Sequence, residues 1–308
     1  MSFKNVAIIG SNGFIGKHLT EKLFEKSDLN LFLFGKNESG FLKKKLPYIQ
    51  LNLSNSIEIN RYFQKIDIIY YLASDSIPSS SWEDPLSEIE NNLIPFINFL
   101  KCIAELNVKK IVFVSSAGTI YGSSNQKLKE DSDKKPFSPH GIIKLTMENF
   151  LNYFEIKYNL TFDIYRLSNV YGPGQNTSKG LGIINTFIEN IISNKRINIF
   201  GTGNNIRNYV YIDDVAELLS YSLYSNEKNS TTYNLSSNDT LSITELVSII
   251  KNVIPDDFEI TYGNKRQSDN TQIHLDNTKI LQDYPEFYFT SIKEGILKTY
   301  LYIKENSK

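Results

Sequence analysis

The hydrophobic positions in the first half of the chain form short apolar runs that alternate with longer amphipathic stretches. The apolar runs cover residues 5–9, 31–34, 48–51, 66–73, 110–115 and 162–167. Runs of this length with little polar interruption are typical of strands that are covered on both faces. Helical spacing in the intervals predicts an alternating order of strands and helices, and therefore an α/β fold with a parallel, doubly wound sheet.

Two stretches depart from this simple alternation. The helix expected from about residue 86 to residue 106 contains Pro95, which should weaken or bend it. Beyond residue 170 the apolar pattern becomes irregular, with glycine-containing loops and shorter elements. We therefore expect one sheet domain over residues 1–170 and a smaller C-terminal α/β region over residues 171–308, with an approximate boundary that allows interleaved elements.

Composition narrows the class of protein. The 308 residues are 41% hydrophobic, which allows a sizeable core, and the net charge of -1 gives no bulk attraction to nucleic acid or to an anionic membrane. Cys102 is the single cysteine, so an internal disulfide is excluded and a zinc or other metal site is not expected. No apolar run approaches the ~20 residues of a membrane span. We expect a soluble, cytoplasmic protein.

A glycine-rich turn joins the first apolar run to the first helix. Its glycines stand at positions 10, 13 and 16. The first glycine permits a tight turn, the second lets the backbone approach a pyrophosphate, and the third lets helix and strand pack closely. The turn predicts a dinucleotide cofactor on a Rossmann-type domain, with contacts from Gly10, Asn12, Gly13, Phe14, Ile15 and Gly16.

The end of the second strand bears on the choice of cofactor. An NAD site usually has an acidic residue there for the ribose hydroxyls, but this chain has Gly35 and Lys36. A cation without a carboxylate fits a 2′-phosphate, so the sequence gives a slight preference for NADP over NAD. Lys36 could equally be a solvated loop lysine.

A helix that begins near residue 138 carries the candidate chemistry. Ser138 is a favourable N-cap, and Pro139 suits the first helical position because it lacks an N–H that would be unpaired there. His140 and Lys144 are four residues apart and share one helix face. An imidazole beside an ammonium indicates proton transfer.

The chain resembles the extended short-chain dehydrogenase/reductases, and among them the nucleotide-sugar epimerases and dehydratases. The similarity extends over nearly all of the sequence, and the order and spacing of its motifs are more specific than any one motif. The segments that carry it are residues 10–16, 67–73, 115–122, 166–174 and 200–215, together with Asn92 and the pair Arg266 and Asp269.

The family's proton-transfer group is a Y-x-x-x-K pair with a Ser or Thr from the neighbouring strand. Here Lys144 is present, His140 replaces the Tyr, and Ala117 occupies the hydroxyl position, with Ser116 and Thr119 nearby. Three interpretations remain open: His140 is the base, the protein binds its ligands with little or no turnover, or another group such as Tyr121 takes part.

The resemblance also implies ligand contacts outside the glycine turn. Arginines suit a sugar-nucleotide diphosphate because they bind its oxygens bidentately, although both could be surface salt-bridge residues. Expected cofactor contacts are Lys36, Leu72, Ala73, Lys144 and Asn169, and expected sugar-nucleotide contacts are Asn169, Arg207, Arg266 and Asp269.

The residues after the strand hydroxyl restrict the reaction. The family's 4,6-dehydratases carry an Asp-Glu pair there, because eliminating water needs an additional acid and base. Gly118 and Thr119 occupy those positions, which argues against a dehydratase. The resemblance favours an NAD(P)-dependent 4-epimerase of a UDP-hexose or UDP-N-acetylhexosamine. The alternatives are an NADPH-dependent sugar-nucleotide reductase and a catalytically degenerate sugar-nucleotide-binding protein.

The family is usually a homodimer that packs through two long helices. The sequence offers apolar side chains on both of the corresponding stretches, although these could instead face the sheet. They are Leu93, Ile97, Leu100 and Ile103 on the first helix, and Leu145, Phe150 and Phe154 on the second.

Overall fold

The computed structural model describes residues 4–37, 46–76, 82–178, 180–225, 229–264 and 272–307. The first half of the chain contains β1 (Lys4–Ile9), α1 (Phe14–Phe24), β2 (Leu29–Gly35), β3 (Tyr48–Gln50), α2 (Ser56–Phe63), β4 (Ile68–Tyr71), α3 (Pro85–Glu88), a π-helical turn (Ile89–Leu93), α4 (Ile94–Ile103), β5 (Lys110–Ser116), α5 (Ala117–Ile120), β6 (Lys127–Leu128) and α6 (Pro139–Tyr158).

The second half contains shorter elements in a less regular order. They are β7 (Phe162–Leu167), β8 (Asn169–Tyr171), α7 (Ile183–Asn194), β9 (Arg196–Phe200), β10 (Ile206–Tyr211), α8 (Ile212–Tyr221), β11 (Thr231–Leu235), β12 (Thr240–Ser242), α9 (Ile243–Val253), β13 (Glu259–Gly263), β14 (His274–Leu275), α10 (Thr278–Asp283) and α11 (Ile292–Asn306).

The central sheet has seven strands in the order β3-β2-β1-β4-β5-β7-β11. β1 pairs in parallel with β2 on one side and with β4 on the other. The strand order therefore reverses between β1 and β4, and a doubly wound sheet binds its ligand outside the carboxyl ends of the strands at such a point. The predicted α/β fold with a parallel sheet is confirmed.

The chain divides into two compact units that are each assembled from three segments. The first unit consists of Met1–Ile120, Pro136–Arg166 and Ala216–Tyr233. The second consists of Tyr121–Lys135, Leu167–Val215 and Asn234–Lys308. The division at residue 170 stays a prediction about where the cofactor-binding and sugar-binding regions lie.

The helix expected over residues 86–106, disturbed by Pro95, is present as a continuous helical run over residues 85–103 and ends earlier than expected. It consists of α3, a π-helical turn and α4, and Pro95 lies in the first turn of α4. Proline cannot donate the hydrogen bond of an interior helical position and its ring needs room, so the turn before it widens. The predicted fourth strand over residues 66–73 is likewise shorter, since β4 covers only Ile68–Tyr71.

Aromatic rings fill the core of the first unit. Phe34 stacks on Phe63 with ring centroids 4.8 Å apart, and Phe63 meets Phe99 edge to face. Three residues expected on a dimer surface belong to this core and are almost fully buried, which corrects that part of the prediction: Leu100, Ile103 and Phe154. None of the described helices combines the length and apolar character needed to cross a bilayer.

Candidate active site

The glycine turn forms a cradle after β1. Gly10 has a φ of 88°, and a Cβ there would lie 2.8 Å from the backbone nitrogen of Ala73. A Cβ on Gly16 would lie 2.2 Å from the carbonyl oxygen of Gly10. Among the described residues no side chain caps α1, and its first turn has no acidic residue. The open N–H groups at this helix terminus fit the pyrophosphate of a dinucleotide.

The remaining residues of the predicted cofactor site surround this cradle. The Asn12 amide donates to the hydroxyl of Tyr48, 2.6 Å away, and Leu72 donates its N–H to the carbonyl of Ile9. Phe14 and Ile15 form the first turn of α1. The structure thus brings the glycine turn and the end of β4 together at one sheet edge.

Lys36, which favoured NADP at the level of sequence, is already paired. Its ammonium lies 2.7 Å from the carboxylate of Asp75, and the two side chains are 71% and 47% exposed. The carboxylate beside this lysine opposes the attraction between the lysine and a 2′-phosphate. The ion pair therefore weakens the physical reason for preferring NADP.

The start of α6 forms as predicted. Ser138 caps the helix by accepting the N–H of Gly141 at 3.1 Å, and Pro139 occupies the first turn. A Cβ on Gly141 would lie only 2.3 Å from the carbonyl oxygen of Thr119, so the helix packs directly on α5. Glycine at position 141 is therefore what brings His140 close to α5.

His140 and Lys144 occupy the same face of α6, where Lys144 is buried and His140 is half-buried. The Lys144 ammonium donates to the carbonyl of Val114 at 3.1 Å and lies over the ring of Phe113. Burial, followed by the Lys144 charge, lowers the pKa of His140 to about 3, so the imidazole is neutral. Its Nδ1 is buried without a hydrogen-bond partner among the described residues.

The hydroxyl groups near His140 are those of Ser116 and Thr119, and the position where the family carries its Ser or Thr is occupied by Ala117. Ala117 is fully buried, Ser116 ends β5, and Thr119 donates its hydroxyl to the carbonyl of Ser116 at 3.4 Å. Tyr121, the third open interpretation, is also buried, and its hydroxyl donates to the amide oxygen of Asn234 at 2.7 Å. A phenol held in this way is a poor substitute base, so the interpretations with His140 as the base, and with little or no turnover, stay open.

A buried polar group beside α6 escaped the sequence analysis. Glu88 is 2% exposed and accepts from the hydroxyl of Ser76 at 2.6 Å and from the amide of Asn92 at 3.1 Å. The amide oxygen of Asn92 in turn accepts the N–H of Asp75. The four-residue spacing of Glu88 and Asn92 could have indicated that the two side chains lie on one helix face and form a hydrogen bond. A glutamate in a surface helix is normally solvated, however, so the sequence did not predict that Glu88 is buried.

A second buried ion pair lies further along α6. Arg166 of β7 makes a bidentate contact with Glu148, with its closest nitrogen–oxygen distance at 2.7 Å. Glu148 is one helical turn beyond Lys144, which is one turn beyond His140. One face of α6 therefore carries an imidazole, a cation and a paired carboxylate in succession.

Two of the predicted sugar-nucleotide contacts, Asn169 and Arg207, belong to the second unit. Asn169 and Arg207 lie on paired strands, with Asn169 opposite Tyr209 in the parallel ladder of β8 and β10. Asn169 donates to the carbonyl of Asn208 at 3.0 Å, and Arg207 donates to the carbonyl of Ile206 at 2.8 Å. Arg266 and Asp269 lie outside the described residues.

The fold and this cradle define a dinucleotide-binding α/β protein, and the family follows from comparison. Residues 6–236 match the NAD dependent epimerase/dehydratase family, and the chain belongs to that family. A Methanocaldococcus jannaschii protein with a provisional UDP-glucose 4-epimerase name is 30% identical over 98% of this chain and 99% of its own length.

Two solved structures are similar over almost their whole length. The UDP-glucose 4-epimerase of Thermus thermophilus, in complex with NAD, has a TM-score of 0.89 at 25% identity and covers 97% of this chain and 99% of its own. The UDP-N-acetylglucosamine 4-epimerase of Methanobrevibacter ruminantium has a TM-score of 0.90 at 25% identity, with 99% and 100% covered.

Proposed function

We propose that this protein is an NAD-dependent 4-epimerase of a UDP-linked hexose or N-acetylhexosamine. The observation that carries the proposal is the full-length similarity to 4-epimerases together with an intact cofactor cradle. The curated and solved relatives named above carry UDP-sugar 4-epimerase names. Lys144, buried beside β5, retains the position that the family uses to hold the cofactor ribose.

NAD is the proposed cofactor, in place of the preference for NADP that the sequence alone gave. The Thermus thermophilus relative binds NAD, and the Lys36–Asp75 ion pair leaves no net positive charge for a 2′-phosphate. The cradle residues Gly10, Gly13 and Gly16 would hold the pyrophosphate at the start of α1. A bound nicotinamide supplies a reversible acceptor for the hydride of the sugar.

The residues of the chain supply the proton chemistry. The C4 hydroxyl of the sugar gives up its proton as the C4–H bond breaks. A proton returns to the C4 oxygen when hydride is delivered to the opposite face of C4. Neutral His140 accepts that proton at Nε2, because its Nδ1 is buried. Ser116 and Thr119 orient the hydroxyl, and Asn169 and Arg207 contact the sugar nucleotide, with Arg266 and Asp269 as further proposed contacts.

Two specific observations favour a second function. An imidazole whose pKa is about 3 is a weak proton acceptor, and Ala117 removes the usual strand hydroxyl. These two features fit a sugar-nucleotide-binding protein with little turnover. The sugar-nucleotide reductase has less support, because Lys36 favoured it through NADP and Lys36 is paired with Asp75.

Product analysis by NMR distinguishes these functions. The unaltered protein is incubated with NAD and with UDP-glucose, UDP-N-acetylglucosamine and a GDP-hexose as a nucleotide control. We expect conversion of a UDP-sugar to its 4-epimer, and a loss of about 100-fold or more in kcat for His140→Phe. No conversion, with NAD and UDP-sugar binding intact by calorimetry, would establish the binding function instead.

A homodimer is also proposed, through the exposed apolar side chains of α4 and α6. Ile94 is 54% exposed, Ile142 48% and Ile156 85%, which is unusual for isoleucine. We expect sedimentation at micromolar concentration to give about twice the chain mass of 35.3 kDa. Ile156→Glu should shift the mass toward the monomer, and a wild-type monomer would refute the dimer.

A further inference from the structure

Glu88 is a buried carboxylate that pairs with no cation in the part of the chain that the structure describes. Its hydrogen bonds come from two neutral groups, the Ser76 hydroxyl and the Asn92 amide, and the described residues place no Lys, Arg or His nitrogen within 4 Å of it. A carboxylate that is 98% removed from solvent is costly to keep charged without a counter-ion. Such a group is unusual at a position of purely structural importance.

Lys144 presents the opposite case. It is 8% exposed, its hydrogen bond goes to a neutral carbonyl, and no carboxylate lies within ion-pair distance of it among the described residues. The nearest acid on its own helix, Glu148, is already held bidentately by Arg166. One buried cation and one buried carboxylate are therefore left over in the same unit.

The two unpaired groups lie on neighbouring elements. α3, which ends at Glu88, and the π-helical turn both pack on α6, the helix that carries Lys144. The charged or titratable groups around Lys144 are His140 and Glu148 on α6 and Glu88 on α3; β5 contributes the Val114 carbonyl, and α5 contributes no charge. Glu90, on the π-helical turn, is exposed.

We propose that Glu88 is a positioning residue, the buried counter-ion that keeps Lys144 charged beside the cofactor ribose. The consequence for catalysis rests on the proposed function, but the electrostatic relation between Glu88 and Lys144 does not. Burial lowers the pKa of Lys144 to about 8, and Glu88 is the foremost group that opposes this. Without its charge, a substantial share of Lys144 would be neutral near pH 7.

The Asn92 and Ser76 hydrogen bonds explain how Glu88 can serve this purpose from a distance. They hold the carboxylate on Ser76 and Asn92, and no lysine among the described residues lies within ion-pair distance of it. The ammonium then keeps its donors for the Val114 carbonyl and for a ligand. A direct salt bridge would instead occupy one of those donors.

The test follows the ionisation of Lys144 itself. Protein labelled with lysine carrying carbon-13 at Cε is titrated by NMR, and the Lys144 resonance is identified by its loss in Lys144→Arg. We expect Glu88→Gln to lower the Lys144 pKa by about one unit, because it removes a buried opposite charge without changing shape. The matched control, Glu90→Gln, removes an exposed carboxylate two residues away and should leave the titration unchanged.

Equal shifts in both variants, or a shift in neither, would overturn the proposal. If Glu88→Gln does not fold, Glu88→Met is titrated in its place, because it removes the same charge with a side chain of similar length. The Lys144 pKa should again be lower than in the wild type, and an unchanged Lys144 pKa would overturn the proposal.

Two further readouts connect the pair to the reaction. Calorimetry should show that Glu88→Gln binds NAD more weakly at pH 8 than at pH 6, and the alkaline limit of kcat/KM should move to lower pH in the same variant. Equal NAD affinities at the two pH values would remove the link to the cofactor. A wild-type protein without epimerisation would refute the proposed function, and the Lys144 titration would still decide whether Glu88 is its counter-ion.

Discussion

A neighbouring ammonium lowers the pKa of both an imidazole and a phenol, but the consequences for their use as a base differ. A cation lowers the pKa of a tyrosine toward neutral pH, which creates the phenolate that acts as a base. The same cation lowers the pKa of a histidine away from neutral pH, which ensures a free nitrogen lone pair but weakens it as a base. His140, with a pKa of about 3, belongs to the second case. The Tyr-to-His difference therefore changes the expected dependence of the rate on pH.

The first prediction concerns this pH dependence. Because the pKa of His140 is depressed to about 3, its imidazole is unprotonated at every pH above about 4, and protonation of His140 should not reduce kcat between about pH 7 and pH 5. In His140→Tyr the base must first ionise, so kcat should rise with pH over the same range. Steady-state profiles of both proteins test this. An acidic limb near pH 6.5 that disappears in His140→Phe would contradict it.

The second prediction concerns the cofactor. Asp75→Asn removes the carboxylate that pairs with Lys36 and leaves the lysine available to a 2′-phosphate. Because both side chains are largely exposed, we expect only about a threefold gain in NADP affinity, with NAD affinity nearly constant. Calorimetric titration with both cofactors measures the change, and Glu83→Gln, at an exposed acid outside this ion pair, is the control. An unchanged NADP/NAD ratio would show that Lys36 does not face the ribose.

At the scale of elements, the placement of His140 depends on how closely α6 approaches α5. Gly141 is the contact point, since its Cα faces the Thr119 carbonyl with no room for a methyl group. Sequence alone could not distinguish this glycine from Gly118, which stands on α5 and has no atom within 4 Å of an added Cβ. Close approach between helices is a tertiary property.

The third prediction compares these two glycines. Gly141→Ala places a Cβ 2.3 Å from a backbone oxygen, so α6 must shift, at a cost of about 1–3 kcal/mol in unfolding free energy. kcat should fall as well, because His140 moves with the helix. Gly118→Ala adds the same methyl group to open space and should leave both quantities nearly unchanged. Urea unfolding and product formation measure the difference, and equal effects of the two variants would contradict the packing argument.

At the scale of elements, the sequence predicts features that adjacent residues decide and misses those that depend on tertiary packing. Ser138 and Pro139 were predicted correctly as the start of α6 because capping is decided by a few adjacent residues. Pro95 marked a disturbed helix, but the choice of a π-helical turn depends on what packs around it. The pairing of Lys36 with Asp75 and the burial of Glu88 escaped prediction because each depends on residues that are distant in sequence.

At the scale of the whole molecule, stability depends on charges buried in both units. The first unit holds two buried ion pairs, Lys110 with Asp163 and Arg166 with Glu148. In the second unit, Asp214 of α8 accepts the N–H and the hydroxyl of Thr290 at 2.9 and 2.8 Å, just before α11. Asp214 has no fully compensating cation of this kind, because Asp213 raises the pKa of Asp214 more than Lys298 lowers it. Its ionisation should therefore be visible in the unfolding free energy.

The fourth prediction follows from the direction of that shift. Burial raises the pKa of Asp214 to about 6, above the value of about 3.9 in an unfolded chain, so the folded state binds the proton more tightly. The stabilisation is fully present below about pH 4 and is lost as pH rises through about 6. Relative to Asp214→Asn, the wild type should therefore lose about 1–2 kcal/mol of unfolding free energy between these two pH values. Urea titrations across this range measure the loss, with Glu305→Gln, at an exposed acid elsewhere in the second unit, as the control. A difference between wild type and Asp214→Asn that stays constant with pH would mean that Asp214 is ionised alike in the folded and unfolded chain.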